Sequence, residues 1–257
     1  MKKIVLVLII AGMGVGAYFI FFSGSSEKSA LLRIDVNEGE KYNMFINSTT
    51  SSDGTVDESE SYIEMVSSFE VIEKRDGQID FEVSISLLKL NGIKDGMEYG
   101  YSSEEDSVDS LNNFDLQLEI MYSPILNRPI SLVTVNNKGE IINKINYLNQ
   151  IEMDLANQLL PDPLFVVFPE NKLNIGDSFS NNTSLGEVTY TLNDITSDEY
   201  LFQANGGVYE RYGTGLVGLF KSSCIPSSGS MQSTDEKGRT EKIDYKTEEQ
   251  PTGFEKK

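Results

Sequence analysis

Histidine and tryptophan are absent from this chain of 257 residues, and cysteine occurs once, at Cys224. A chain without histidine lacks the commonest general base and the usual partner of a catalytic serine or cysteine. A single cysteine cannot form an internal disulfide, and zinc or iron–sulfur sites lose their usual ligands. We therefore expect a protein that is not an enzyme, with no catalytic residue, no metal site and no cofactor-binding residue.

Positive charge is also scarce. The chain has 40 acidic and 21 basic residues, which gives a formal net charge of −19. A strongly acidic surface repels the phosphates of nucleic acids and anionic lipid headgroups. We therefore do not expect nucleic acid as a partner.

The first apolar segment lies at the N-terminus. Residues 4–22 form a run of 19 uncharged residues, which is long enough to cross a hydrocarbon core as a helix. Lys2 and Lys3 precede it and should stay cytoplasmic, so the rest of the chain would face the periplasm or the cell exterior. Residues 1–22 are therefore predicted to be a transmembrane anchor. The alternative is a cleaved signal segment, which would leave a secreted protein.

Strand patterns dominate after the Ser-rich spacer at residues 23–29. Apolar and polar residues alternate in residues 81–87, which is typical of a strand with one buried face. Turn sequences at 75–78 and 136–139 predict hairpins. Later strands are predicted to include 199–204 and 207–212, with 207 opening a new strand.

Two segments are predicted to be helical. Leu148, Ile151, Leu155 and Leu159 form the apolar stripe of an amphipathic helix that stops before Pro161. Residues 108–125 fit either a helix or an alternating strand, and we predict a helix there. Strands do not alternate with helices, so a parallel sheet is not expected.

These patterns predict an α+β fold. Residues 30–247 should form one extracytoplasmic domain, built on a large, mostly antiparallel, curved sheet with one or two helices on one face. A polar tail at 248–257 should follow it. Within the domain, residues 36–42 and 173–179 share the pattern apolar, Asn, any, Gly, acid, any, aromatic. This weak repeat predicts two related halves, at about 30–145 and 173–247, with Tyr42 and Phe179 in matching positions.

The repeat segments, together with residues 133–141, resemble motifs of an uncharacterised family of bacterial envelope proteins, a domain of unknown function. The architecture of that family is similar to the half-barrels of lipoprotein carriers, in which a curved antiparallel sheet cups helices and an apolar cavity. The resemblance implies a place in the cell envelope and lends no activity.

One loop is a candidate for the wall of such a cavity. Prolines flank residues 164–168, which are five consecutive large apolar residues. They fit either a buried strand or core plug, or the rim of an apolar cavity. Because a single short helix can shield only part of a broad sheet, we predict a cavity between helix and sheet. Its candidate lining residues are Leu148, Ile151, Leu155, Leu159, Leu164, Phe165 and Phe168.

Two short motifs with catalytic or cofactor associations are better explained as strand sequence. Residues 213–218 spell G-x-G-x-x-G, but no helical pattern follows, and glycines that bend or bulge a strand account for them. Residues 86–89 spell S-x-x-K within an alternating strand, without the companion motifs S-D-N or K-T-G.

Three functions stay open from the sequence. The first is a non-enzymatic, membrane-anchored protein that binds an apolar ligand or an envelope protein. The second is a structural or assembly component of the envelope with no small ligand. The third is a histidine-free hydrolase, which would need two or more acids converging in a cleft. The sequence does not identify the ligand, the partner or the oligomeric state.

Overall fold

The computed structural model describes residues 28–52, 60–94, 97–104, 113–160, 164–183, 186–208, 211–235 and 239–250. The predicted anchor or signal segment at 1–22 lies outside these residues. No helix among the residues described is long and apolar enough to cross a membrane.

The described chain is mostly strand. The strands are β1 (Ser29–Ala30), β2 (Lys41–Ser52), β3 (Glu60–Arg75), β4 (Gln78–Lys94), β5 (Met97–Ser102), β6 (Pro129–Asn136), β7 (Ile141–Asn146), β8 (Leu173–Asn174), β9 (Ser178–Thr183), β10 (Gly186–Ile195), β11 (Glu199–Val208), β12 (Arg211–Phe220), β13 (Pro226–Asp235) and β14 (Arg239–Gln250). Two short α-helices accompany them, α1 (Asn113–Tyr122) and α2 (Gln150–Leu159), and a 3-10 turn (Ser123–Ile125) follows α1.

Twelve strands form one antiparallel sheet in the order β7-β6-β4-β3-β2-β14-β13-β12-β11-β10-β9, and β5 pairs with the second part of β4. Strands β1 and β8 form a separate two-stranded ladder. The last strand, β14, pairs with β2 along its whole length, from Arg239 opposite Ser52 to Gln250 opposite Lys41. The predicted architecture, a large curved antiparallel sheet with helices on one face, is confirmed.

The segment that precedes β2 crosses one end of the sheet. The Ile34 N–H donates to the carbonyl of Asn137 in the β6–β7 turn at 2.7 Å. The Asp35 N–H donates to the carbonyl of Ser223 in the β12–β13 turn at 3.1 Å. Leu32, Ile34 and Val36 of this segment are buried. It therefore closes this end of the curved sheet, which we name the closed end.

Residues 37–40 and 174–177 form two turns of the same construction. Gly39 and Gly176 both have positive φ, +82° and +95°, a region where L side chains are disfavoured. In each turn the final acid accepts hydrogen bonds from the backbone N–H and the side-chain amide of the first asparagine. Each glycine N–H also donates to a carbonyl of the adjacent strand at 2.7 Å.

The residues that follow these turns also correspond. Tyr42 lies opposite Phe69 on the next strand, and Phe179 lies opposite Tyr190. The local geometry of the two segments is therefore the same. The relation of the two larger halves, 30–145 and 173–247, stays a prediction.

Both helices lie in the predicted segments. The α2 helix begins with a capping box, in which Asn149 accepts from the Glu152 N–H and Glu152 accepts from the Asn149 N–H, at 3.0 and 3.1 Å. It ends at Leu159, before Pro161. In the ambiguous segment 108–125 the described residues are helical, as predicted, over Asn113–Tyr122 and in the 3-10 turn.

Several strand boundaries differ from the sequence-based expectation, and those of β11, β12 and β14 differ for identifiable reasons. Strand β11 runs on to Val208, where a break after Ala204 was expected. A β-carbon on Gly206 would lie 3.0 Å from Cγ2 of Val188, so this glycine makes room for a neighbouring side chain and does not turn the chain. Strand β12 covers Arg211–Phe220, so it begins later than the strand expected at 207–212. Its pairing with β13 shifts register at Gly218, which agrees with the bulge expected from the glycines at 213–218. Strand β14 continues to Gln250, three residues into the expected tail.

Candidate functional site

One face of the sheet carries an apolar band that crosses the strands without a break, and we name it the inner face. Directly opposed residues on adjacent antiparallel strands lie on the same face, so the register gives each row. One row contains Leu192, Phe202, Val217, Gly229, Tyr245, Ile46, Met65 and Leu88. The adjacent row contains Tyr190, Ala204, Gly215, Met231, Ile243, Ser48, Ile63 and Leu90. At a strand spacing of about 4.8 Å, each row is about 34 Å long.

The residues 164–168, which we name the plug, cover part of the inner face near the closed end. The Phe165 ring packs against Phe81 and Phe69, with centroid distances of 4.9 and 6.0 Å. The Phe168 ring meets Phe179 edge-on at 6.5 Å. Both plug phenylalanines are buried, so this segment is a core plug, one of the two interpretations that the sequence left open.

Backbone hydrogen bonds hold the plug between the two edges of the sheet. The Asn181 side chain on β9 accepts from the Val167 N–H at 2.6 Å and donates to the Val167 carbonyl at 2.8 Å. On the other side, the Phe168 N–H donates to the carbonyl of Lys138, in the turn before β7, at 2.8 Å. The sequence gave no sign of the role of Asn181, because an asparagine in a polar edge strand is unremarkable by pattern.

The seven residues predicted to line a cavity divide into two groups. Leu148, Phe165 and Phe168 are buried, and three more are half-buried against the core: Leu155, Leu159 and Leu164. Ile151, by contrast, is 75% exposed. The α2 helix is rotated relative to the expected stripe, so that Met153 and Ala156 face the core. Their spacing of three residues was an available signal that the longer leucine stripe obscured.

The middle of the inner face, on β12, β13 and β14, is less completely covered. Met231, Ile243 and Tyr245 are half-buried there. Glycines lie beneath two of them: a β-carbon on Gly215 would lie 2.6 Å from Cγ of Met231, and one on Gly229 would overlap the Tyr245 ring. The larger side chains therefore lie flat over the strands and form a low apolar floor.

The inner rows contain two tyrosines, Tyr190 and Tyr245. Burial raises the pKa of the Tyr245 hydroxyl, and the nearby Tyr190 raises it further. Tyr190 is on β10 and Tyr245 on β14, four strands along the sheet. An effect across so many strands agrees with a sheet that curves inward, and small residues, Ala204 and Gly215, follow Tyr190 in its row.

Several buried hydroxyls on the inner face have no hydrogen-bond partner within the described ranges, among them those of Thr247 and Ser67. Thr247 and Ser67 are on either side of Met44 in one row, with exposures of 3% and 0%. On the outer face a comparable buried hydroxyl is paired, since Thr134 donates to the Asp80 carboxylate at 2.7 Å. A buried hydroxyl without a partner is uncommon in folded proteins, so these two positions are unusual for the interior of a sheet.

A polar pocket of about 430 Å³ lies at the closed end, lined by Asp35, Asn37, Glu40, Lys41, Tyr42, Ser222, Ser223, Glu249 and Gln250. Burial raises the pKa of the Glu40 carboxyl. Hydrogen bonds from Asn37 and Tyr42 and the charge of Lys74 outweigh that effect, and the pKa ends below its usual value of 4.5. Glu40 is thus held ionised at neutral pH and is unsuited to donate a proton. Nowhere in the described residues do three or more His, Cys, Asp or Glu side chains gather to hold a metal ion.

No family model matches the chain, and no curated protein matches it. Among solved structures, one that concerns lipid–protein interactions in lipovitellin aligns over 86% of this chain, with a TM-score of 0.51 and 13% sequence identity. The chain spans 26% of that lipovitellin chain. At this identity the likeness concerns the fold alone. A structure of MucB in complex with MucA(peri) aligns over 83% of this chain and 94% of that chain at 9% identity. Its TM-score of 0.13 is too low to indicate a shared fold.

Proposed function

We propose that this protein is a non-enzymatic binding protein for a lipid-like, predominantly apolar ligand, which lies on the inner face over β12, β13 and β14. The observation that carries the proposal is the half-buried apolar floor formed by Met231, Ile243 and Tyr245. The plug and the helices cover the inner face elsewhere, so this floor is the part that a ligand could complete.

Hydrophobic burial would supply the affinity. Each Å² of apolar surface removed from water contributes about 25 cal/mol, so an acyl chain laid along the floor would gain several kcal/mol. The flat-lying Met231 and Tyr245 side chains and the glycines beneath them present a smooth surface without deep pockets. Such a surface suits a flexible chain better than a rigid polycyclic ligand. The lipovitellin structure, which has a similar fold, concerns lipid–protein interactions and supports a lipid as the ligand class.

The polar part of the ligand would be small and uncharged. Thr247, two residues from Tyr245 on β14, offers a hydroxyl to an ester, alcohol or amide group, and the described residues of the two inner rows include no ionisable group besides tyrosine. An acylglycerol or a fatty alcohol satisfies these conditions. A phospholipid with an anionic headgroup would be repelled by the protein surface, because the chain has a net charge of −19.

The cellular setting belongs to the same proposal. The apolar run at residues 4–22 would anchor the protein to a membrane and leave the sheet domain in the periplasm or outside the cell. Anchoring would keep the inner face close to a supply of lipid. A protein partner could then receive the ligand, and the resemblance to envelope proteins motivates a search for it in that compartment.

Photo-crosslinking of the full chain in its own membrane tests the proposal. A diacylglycerol analogue with a photoreactive acyl chain and an alkyne handle would be incorporated, and labelled peptides would be mapped by mass spectrometry. We expect labels on the peptides that contain Met231, Ile243 and Tyr245. Labels confined to residues 4–22 would contradict the proposal, because a simple membrane anchor gives that result.

Adjacent residues on β13 provide matched variants. Met231 is on the inner face, whereas Gln232 is exposed on the outer face. We expect Met231→Asp to reduce labelling of the sheet domain at least about tenfold, because a carboxylate on the floor must be desolvated by the ligand. Gln232→Asp should leave the labelling unchanged. Circular dichroism melting would verify that both variants fold, and the milder Met231→Gln replaces the aspartate if they differ.

A further inference from the structure

Strand β7 is exposed on both of its faces and ends the sheet. All six of its residues are exposed, including Ile141 at 50%, Ile142 at 51% and Ile145 at 47%. Tyr147 and Ile151, which follow closely in the chain, are exposed to 50% and 75%. We name these five apolar residues the β7 patch. No other described strand pairs with the outer side of β7.

Polar side chains make the opposite edge of the sheet, strand β9, unfavourable for pairing with another strand. Strand β9 has serines at positions 178 and 180, whose hydroxyls bond Thr191 and Thr189 of the neighbouring strand at 2.8 and 2.9 Å. Its Asn181 is occupied by the plug. Proteins usually blunt an open edge with charge, proline, a bulge or a covering segment. Strand β7 has one lysine and a bulge at its start, and carries three isoleucines.

The outer side of β7 is oriented for pairing. The Tyr147 N–H donates to Ile130 of β6 at 2.9 Å. In an antiparallel ladder every second residue directs its backbone N–H and C=O groups to the same neighbouring strand. Ile145, two residues before Tyr147, therefore also directs these groups to β6. Lys144 and Asn146 therefore present their N–H and C=O groups outward, to a strand that would extend the sheet.

We propose that β7 pairs antiparallel with β7 of a second copy of this chain, across a twofold axis at Ile145. In this register Ile145 meets Ile145 of the partner subunit at a non-hydrogen-bonded position, where cross-strand side chains are closest. Lys144 lies opposite Asn146 of the partner subunit, so the two lysines are not opposed. The pairing uses the regular part of β7 after its bulge.

A second copy fits this edge because β7 pairs with itself without opposing like charges. Each copy has a net charge of −19, so two copies repel each other over most of their surfaces. Strand β7 has no acidic residue and one lysine, which makes its edge a place where the copies can approach with little repulsion. A twofold pairing brings Ile145 and Tyr147 of both copies into the same contacts, as isologous interfaces require.

Cysteine crosslinking of the full chain in mild detergent tests the pairing. Ile145→Cys should form an intermolecular disulfide under copper–phenanthroline, because the two thiols meet at the axis. Ile72→Cys is the matched control: Ile72 is 46% exposed on β3, away from the edge. Wild type is the blank, since its Cys224 is buried and burial raises the pKa of that thiol to about 11. Equal crosslinking of the two variants would overturn the proposal.

A second measurement separates this interface from any association of the apolar N-terminal run. Ile145→Lys would place two ammonium groups face to face, and we expect it to weaken dimerisation at least about tenfold in sedimentation equilibrium, equivalent to about 1.4 kcal/mol. Ile72→Lys should have no effect. If Ile145→Lys folds and dimerises as wild type does, or if wild type stays monomeric at every concentration measured, the β7 pairing is wrong.

Discussion

The ring of Tyr245 lies on Gly229 of the neighbouring strand, so closely that a β-carbon at position 229 would overlap its Cε1 and Cζ atoms. The two residues are directly opposite each other on the inner face. The glycine therefore sets the height of the apolar floor, because any side chain in its place would lift the tyrosine ring.

Gly229→Ala is expected to destabilise the fold by about 1–3 kcal/mol, the usual cost of inserting a group into a packed position. In a Tyr245→Ala background the same change should cost little, because the ring that it displaces is gone. Urea titration read by pulse proteolysis gives both free energies of unfolding. Equal costs in the two backgrounds would show that the ring contact is not the reason for the glycine.

Thr247→Val is expected to leave the stability unchanged or to raise it by about 1 kcal/mol, because the hydroxyl that it removes is buried without a partner in the described structure. Thr196→Val is the control, since the Thr196 hydroxyl accepts from the Glu199 N–H at 2.9 Å. That variant should lose about 1 kcal/mol. If Thr247→Val costs as much as the control, its hydroxyl is already paired in the folded protein.

Asn181→Ala is expected to cost about 2–3 kcal/mol, because it removes two hydrogen bonds to Val167 and leaves that backbone unpaired in a buried place. The released plug should also become a preferred cleavage site in limited proteolysis. Asn182→Ala, at an exposed position on the same strand, should change neither property. Cleavage of both variants at the same rate would mean that Asn181 does not hold the plug.

The two matched turns predict a dependence of stability on pH. The pKa of Asp177 is lowered by the hydrogen bonds from Asn174, and that of Glu40 is lowered overall by its bonds from Asn37 and Tyr42. A carboxyl whose folded pKa is depressed stabilises the fold above its unfolded pKa, and this contribution is lost as the pH falls through the folded value. For Glu40 the loss therefore begins below the ordinary value of 4.5.

Glu40→Gln should accordingly flatten the decline in unfolding free energy between about pH 5 and pH 3. Chemical denaturation at several pH values across that range measures the slope. A variant with the same slope as wild type would show that the turn acid does not contribute to acid stability.

Much of the architecture could be predicted from local pattern. Period-two alternation and the Gly77 and Gly139 turns specified the hairpins, because both glycines adopt positive φ there. The face that α2 buries could not be predicted as well, because two apolar stripes overlap on that helix. The burial of Met153 and not of Ile151 depends on packing against residues distant in the chain, such as the 3-10 turn at Ser123–Ile125, which helical periodicity does not reveal.

The floor of the candidate site was the least predictable part. From the sequence alone, Gly215 and Gly229 would be expected to weaken a strand. In the structure they make room for the Met231 and Tyr245 side chains of the neighbouring strands. Cross-strand relationships of this kind require the register, which pairs residues far apart in the chain. The plug was visible as an apolar run, but its clamp by Asn181 required the tertiary structure.

The ladder between β14 and β2 has a consequence for how the molecule forms. Its paired residues, Gln250 with Lys41 at one end and Arg239 with Ser52 at the other, are separated by roughly 190–210 positions along the chain. The strands on either side of this ladder pair mainly with neighbours in sequence and can assemble early, whereas the ladder itself cannot form before β14 is synthesised. Until then the edge of β2 that β14 covers has unpaired backbone groups. Joining the two parts of the sheet is therefore a late event that depends on a single strand.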